Sequence, residues 1–271
     1  MSRFVATGTV LDRILQRTEE DVEARRQASP RAELERRAFA HGPALSLRAA
    51  LASSDVSIIA EVKRASPSRG VFPVEVVPAD VARAYIAGGA SAISVLTDEP
   101  FFQGSLADLD AVASVAHATT PQVPVLRKDF MIDPYQVTEA RAHGADAILL
   151  IMAALTDDDV VSLRDSARAY GMDALVEVHD EGEMRRALNL GADLIGVNNR
   201  DLHTFNVDIA TTGRLATMVP DSVVLVGESG IFTYADIVTL GATGARAALV
   251  GEGLIVQPDR AAAVRALLNR P

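Results

Sequence analysis

Lysine occurs twice in this chain, at Lys63 and Lys128. Each lies near the end of a short apolar run, Val56-Ser57-Ile58-Ile59-Ala60-Glu61-Val62-Lys63 and Pro124-Val125-Leu126-Arg127-Lys128. Apart from the histidines, every other basic side chain is arginine. Arginine and lysine are both good helix formers, and either supplies a solvated positive charge. A composition shifted this far toward arginine therefore retains lysine where a guanidinium cannot replace it. The ammonium group is compact and can give and regain a proton, whereas guanidinium stays charged. The two lysines are candidate acid/base groups; the competing reading is a surface ion pair left by chance.

The elements that must hold these groups follow from hydrophobic periodicity. Runs rich in Val, Ile, Leu and Ala occur at Val56–Val62, Ala92–Leu96, Val123–Leu126, Ala147–Met152, Ala174–Val178, Leu194–Val197, Val223–Val226 and Ala247–Val250. Helical patterns separate them at Pro78–Ala87, Leu106–Ala116, Pro134–His143, Thr156–Tyr170, Glu181–Leu190, Ile209–Met218 and Thr233–Leu240, with a last one at Arg260–Leu268. Eight strands alternating with eight helices predict an α/β fold closed into a single (β/α)8 TIM barrel. An open doubly wound sheet is the competing arrangement. Gly89-Ala90, Gly144-Ala145, Gly191-Ala192 and Gly244-Ala245 lead into the even-numbered strands. Glycine just past a helix end is a common stop signal, so these pairs mark helix-to-strand turns on the barrel's bottom face.

From Thr9 to Arg37 the pattern is helical. Thr9 is a candidate N-cap, and Asp12, three residues on, is a candidate second half of a capping box. Ser29-Pro30 interrupts the helix, and a short helix follows around Leu45–Leu51. About 50 residues with few large apolar groups would be marginal alone. Residues 1–54 are therefore expected to be a helical extension within one domain, with the barrel spanning 55–271.

In such barrels the functional groups lie at the C-terminal ends of the strands. Those ends supply Glu61 and Lys63 on the first strand, Lys128 on the third and Glu177 on the fifth. The sixth supplies Asn198 and Arg200, and the seventh Glu228 and Ser229. Side chains two apart share a face, which pairs Glu61 with Lys63, and Asn198 with Arg200 if the strand reaches that far. Alternate strands fill the same interior layers, so Glu61, Lys128, Glu177 and Glu228 should converge across the mouth. Carboxylates crowded around an ammonium group have their pKa values pulled apart, which supplies a proton donor and a proton acceptor near neutral pH. A buried ion-pair cluster that only fixes the mouth is the alternative. The loops after the last two strands carry Gly227-Glu228-Ser229-Gly230-Ile231 and Gly251-Glu252-Gly253-Leu254. Glycine lets backbone N–H groups approach a phosphate, and this is the usual barrel location for one, so a phosphorylated substrate is expected.

The net charge of -10 argues against a nucleic-acid partner, although a locally positive site can still bind a small anion. There is no cysteine, which removes disulfides and thiolate metal sites. The five histidines, His41, His117, His143, His179 and His203, lack metal-ligand spacing and read as structurally incidental. No apolar run reaches the ~18 residues of a membrane span, and Met1–Val10 lacks a signal-peptide core. A soluble cytoplasmic protein with no obligatory protein partner is expected.

Taken together the motifs resemble the indole-3-glycerol-phosphate synthase family over nearly the whole chain, starting from the extension around Thr9–Arg26. The most specific segments are Ile59-Ala60-Glu61-Val62-Lys63-Arg64-Ala65-Ser66-Pro67-Ser68 and Leu126-Arg127-Lys128-Asp129-Phe130. Phe102-Gln103-Gly104-Ser105, Leu175-Val176-Glu177-Val178-His179, Ile195-Gly196-Val197-Asn198-Asn199-Arg200-Asp201-Leu202 and Glu228-Ser229-Gly230-Ile231 add to them. The resemblance implies closure of an indole ring from 1-(2-carboxyphenylamino)-1-deoxyribulose 5-phosphate, with loss of carbon dioxide and water and without cofactor or metal. It assigns Lys128 as the acid at the substrate carbonyl, and Glu177 and Glu61 as carboxylates for the later proton removal and dehydration. Lys63 becomes a candidate acid for expelling hydroxide. It further implies that Asn198 and Glu228 hold sugar hydroxyls, that Arg200, Lys63 and Ser66 meet the anthranilate carboxylate, and that Phe102 and Phe130 wall the aromatic ring. The phosphate would lie on the amides of Ser229, Gly230, Gly251 and Glu252, with the Glu252 side chain pointing away. Phosphoribosylanthranilate isomerase, a sister barrel, would be expected to use a cysteine and an aspartate, whereas this chain lacks cysteine and carries Asn198 on the sixth strand. A non-catalytic barrel that binds a phosphorylated ligand is the other alternative.

Overall fold

A computed structural model describes residues 3–53 and 55–271. Met1, Ser2 and Ser54, which the expected extension includes, lie outside the described residues. The strands are β1 (Ser57–Val62), β2 (Ala92–Leu96), β3 (Val125–Lys128), β4 (Ala147–Ile151), β5 (Asp173–Val178), β6 (Leu194–Asn198), β7 (Val224–Glu228) and β8 (Ala247–Val250). All pair in parallel with their sequence neighbours, and β1 closes the ring on β8 with Ser57 opposite Ala247 and Ala60 opposite Val250. The alternation thus resolves as a TIM barrel and not an open sheet. Parallel strands covered on both faces read as continuous apolar runs, and every residue of β1, β2, β4 and β8 is buried. Gly89, Gly144, Gly191 and Gly244 all sit at positive φ, between 72° and 97°, at the bottom-face turns, a conformation that glycine adopts without steric cost.

One strand is displaced from its expected position. The apolar run placed the third strand at Val123–Leu126, but β3 runs two residues further, to Lys128. Pro124 has no N–H to give the ladder, and the polar end of the strand is held by its surroundings. Arg127 turns outward and is only 1% exposed. Its guanidinium meets Asp129 at 2.7 Å and Glu139 at 2.9 Å, and its Nε donates to Thr97 Oγ1 at 3.0 Å. A buried cation is tolerated only when paired and hydrogen-bonded in this way. With Arg127 facing out, Lys128 faces in.

The helical extension consists of α1 (Val10–Ala28), α2 (Arg31–Ala40) and α3 (Leu47–Ala50). Thr9 caps α1 by accepting from the Leu11 N–H at 3.2 Å. Asp12 does not complete a capping box with it. Its carboxylate accepts instead from the backbone N–H groups of Thr7 and Gly8, at 2.7 and 2.8 Å. Leu11, Ile14, Leu15 and Val22 are buried on the inner face of α1. Arg25 pairs with Glu139 at 3.0 Å and Arg26 with Asp133 at 2.6 Å, tying α1 to the helix Pro134–Ala142. Glu139 therefore joins α1 to the back of the strand that carries Lys128.

Three small elements had no counterpart in the periodicity. The loop after β1 forms a hairpin of Ala65–Ser66 against Gly70–Val71, and the single-turn helices Glu99–Phe102 and Glu252–Ile255 follow β2 and β8.

Candidate active site

The C-terminal mouth of the barrel holds a cavity of about 200 Å³. Glu61, Lys63, Ser66, Phe102, Lys128, Phe130, Glu177, Asn198, Arg200, Glu228, Ser229, Gly230, Gly251 and Glu252, the residues singled out in the sequence, all line it. Register explains the convergence. Lys128 and Glu228 end β3 and β7, and Glu61 and Glu177 stand one residue before the ends of β1 and β5, so all four enter the interior layers that the odd-numbered strands share.

Lys128 is the centre of the cluster. Its Nζ donates to Glu177 Oε2 at 2.9 Å and to Glu228 Oε2 at 3.1 Å. Burial disfavours the ammonium form, but the facing carboxylates of Glu177, Glu228 and Glu61 outweigh it and hold the Lys128 pKa above its ordinary value. The two carboxylates are not equivalent. Burial pushes Glu177 up, yet Lys128 and His179 together draw it below the ordinary range. Burial pushes Glu228 up to about 7, with Lys128 opposing and Glu177 reinforcing the rise. Glu177 is thus the ionised member and Glu228 the one able to carry a proton near neutrality.

A second pair sits beside this one, with Lys63 Nζ 2.6 Å from Glu61 Oε1 and 5.9 Å from the centroid of the Phe72 ring. Glycines make room for both groups. A Cβ on Gly251 would lie 2.2 Å from Glu61 Oε1 and 2.6 Å from Lys63 Nζ, and one on Gly196 would lie 2.1 Å from Glu228 Oε1. Gly251→Ala is expected to fold, since its φ of -108° suits alanine, but to displace the Lys63–Glu61 pair. A shift of this size should lower kcat by about tenfold to a hundredfold with little change in melting temperature, measured by steady-state kinetics and thermal denaturation.

Asn198, the last residue of β6, binds several site groups at once. Its Nδ2 donates to Glu177 Oε1 at 3.1 Å, while its Oδ1 accepts from the Arg200 backbone N–H at 3.1 Å and from Ser229 Oγ at 2.9 Å. The strand ends there, and Arg200 continues in an isolated bridge to Val207, with its guanidinium donating to Phe205 O at 3.2 Å. The rings of Phe102 and Phe130 are 5.9 Å apart, tilted at 38°.

Ser229 and Gly230 take left-handed φ values of 66° and 79°. Successive residues turned this way form a concave set of N–H groups suited to an anion. Among the described residues these two N–H groups find no protein acceptor. A side chain on Gly230 would meet Val207 Cγ1 at 2.4 Å. The first amides of Glu252–Ile255 are likewise free of intrahelical partners. The Glu252 carboxylate reaches Arg69 of the hairpin at 3.1 Å.

Several lining groups escaped the sequence reading. Val10, Leu11 and Ile14 of α1 reach over the cavity, and Leu202, Phe205 and Phe232 complete its apolar wall. Of the histidines read as incidental, His179 is not: its Nε2 lies 3.4 Å from Glu177 Oε1 and its Nδ1 3.0 Å from Glu183 Oε2. Burial disfavours its charged form, but Glu177 and Glu183 raise it to about 10. The signal was present in the spacing, since Glu177 and His179 stand two apart across the end of β5, as Glu61 and Lys63 do across the end of β1.

The family model of indole-3-glycerol phosphate synthase matches residues 11–267. The protein of that name from Roseiflexus sp. (strain RS-1) is 51% identical over 263 residues, covering 96% of this chain and 98% of the relative. Those from Rhodococcus jostii (strain RHA1) and Mycobacterium tuberculosis (strain ATCC 25618 / H37Rv) are 50% and 49% identical, covering 96% and 98% of this chain and 95% and 96% of theirs. Among solved structures, a thiamine phosphate pyrophosphorylase from Pyrococcus furiosus superposes with a TM-score of 0.60 at 16% identity, covering 82% of this chain and 96% of that one, which speaks for the barrel alone. With a family model spanning nearly every strand and helix, and relatives half identical along their full length, the chain belongs to the indole-3-glycerol phosphate synthase family.

Proposed function

We propose that the cavity closes the indole ring of 1-(2-carboxyphenylamino)-1-deoxyribulose 5-phosphate, releasing carbon dioxide and water and giving indole-3-glycerol phosphate. The observation that carries this reading is Lys128 held at 2.9 and 3.1 Å by two buried carboxylates of unequal proton affinity. Ring closure requires the aromatic carbon that bears the carboxylate to attack the sugar carbonyl, whose oxygen becomes an alkoxide as the bond forms. Lys128 delivers the proton to that oxygen. The tetrahedral ring carbon then loses its carboxylate as carbon dioxide, and the bonding pair returns to the ring. Water leaves when the new hydroxyl is protonated and the neighbouring methylene carbon gives up a proton. Lys63, with Glu61 beside it, serves as the acid in this step, and Glu177 takes the carbon proton.

The remaining residues bind. Arg200, Lys63 and Ser66 take the anthranilate carboxylate, and Phe102 and Phe130 flank its ring. Asn198 and Glu228 hold the sugar hydroxyls, with Glu228 able to donate as well as accept. The phosphate rests on the amides of Ser229, Gly230, Gly251 and Glu252, while Arg69 draws the Glu252 side chain aside. Residues 1–54 act as an extension serving the barrel, because Val10, Leu11 and Ile14 wall the same cavity. A reaction between small phosphorylated metabolites suits the cytoplasm; among the described residues no helix is long and apolar enough to cross a membrane.

The test is to incubate purified protein with the substrate and follow indole absorbance. Indole-3-glycerol phosphate should accumulate with one carbon dioxide per product molecule, and millimolar inorganic phosphate should compete weakly with the substrate. Tight substrate binding without product would replace this reading by that of a ligand-binding barrel, and absence of competition by phosphate would remove the amide site.

A further inference from the structure

His179 is the first residue beyond β5, and both of its ring nitrogens face carboxylates. Glu183 Oε2 is fixed for this purpose, since it also accepts the His179 backbone N–H at 2.8 Å. Glu183 stands in the first turn of the helix Glu181–Asn189, where the helix dipole favours a negative charge, and its own N–H is capped by Asp180 Oδ1 at 2.8 Å. Nδ1 is hydrogen-bonded to Glu183, whereas Nε2 is buried without a hydrogen bond and meets Glu177 Oε1 by charge alone at 3.4 Å; both carboxylates favour a protonated ring, so it is held as an imidazolium.

Among the described residues the groups facing Glu177 are Lys128 from β3, Asn198 from β6, His179, and Glu228 from β7 across the shared Lys128, with Glu61 from β1 acting on Lys128 and Glu228. Lys128, Asn198 and His179 stabilise its charge. Glu228 has Lys128 alone, and its Oε1 is buried without a hydrogen-bond partner. Two carboxylates sharing one ammonium group cannot both ionise freely, and among the described residues the one cation paired with Glu177 and not with Glu228 is His179. We propose that His179, clamped by Glu183, is a positioning residue that keeps Glu177 ionised and leaves the proton on Glu228, so that Glu177 enters the reaction as a base. This assignment rests on the ring-closing function and adds to it the group that sets which carboxylate acts.

His179→Gln keeps a polar side chain of similar reach beside Glu177 and removes the charge. The acidic limb of the kcat–pH profile should move up by about one pH unit or more. At a pH on that limb kcat should therefore fall about tenfold relative to wild type, with the plateau above it and KM unchanged. Glu183→Gln, which releases the clamp and leaves the imidazole in place, should shift the limb in the same direction by less, and it carries the test if His179→Gln fails to fold. Carbon-13 titration of the Glu177 carboxyl in the substrate-free protein should show the same upward displacement. Superimposable kinetic profiles and carboxyl titrations for wild type and both variants would overturn the proposal. A displaced carboxyl titration in a protein that makes no indole would leave the clamp standing and remove the function.

Discussion

Lys128→Arg is expected to yield a folded protein that binds substrate within a few-fold of the wild-type KM and turns over about a hundredfold to ten-thousandfold more slowly. The positive charge that balances Glu177 and Glu228 is kept, so melting temperature should change little. Proton release is what is lost. Lys128 already holds its proton more tightly than a free lysine because of the carboxylates around it, and it surrenders it only when the carbonyl oxygen has become strongly basic. A guanidinium in the same place stays protonated, and its planar fork cannot put one N–H where the compact ammonium does. Steady-state kinetics by indole absorbance, with thermal denaturation in parallel, decides the matter. Activity within tenfold of wild type would remove Lys128 from the first proton transfer.

Glu177→Gln should fail at a different point. Removing the charge leaves Lys128 paired with Glu228, whose proton affinity then drops because the neighbouring negative charge is gone. Ring closure depends on Lys128 and carboxylate loss on the ring's own electrons, so a single turnover should still release carbon dioxide. Indole formation needs the carbon proton removed and should slow by about a hundredfold to ten-thousandfold. A substrate labelled at the carboxylate lets both products be counted in one experiment. The contrast with Lys128→Arg, which should suppress both, is diagnostic. If carbon dioxide and indole fall together in Glu177→Gln, this carboxylate acts before the carboxylate leaves.

Much of this site was legible because barrel strands obey a two-residue period and place their chemistry at one end. The alternation of runs and the position of Lys128 suffice to bring Glu61, Glu177 and Glu228 together. The displacement of β3 shows where periodicity fails. Hydrophobicity stops at Leu126, but the strand continues because partners distant in sequence, Glu139 and Thr97, satisfy Arg127. His179 was passed over because the histidines were weighed only as metal ligands, and an imidazolium between two carboxylates needs no such spacing. Val10, Leu11 and Ile14 looked like an ordinary helical stripe; that part of the stripe borders a cavity follows only from how α1 docks, through Arg25 and Arg26, against a helix more than a hundred residues away.

The placement of the two lysines also changes what amine chemistry can do to this protein. Both side-chain amines face one cavity, so a reagent that acylates or methylates lysine has no surface lysine to consume it. Isotope-labelled reductive methylation would place two side-chain reporters in the molecule, each within hydrogen-bond reach of a carboxylate. The same chemistry that decorates most proteins indiscriminately becomes, for this chain, a footprint of whether the mouth of the barrel is filled.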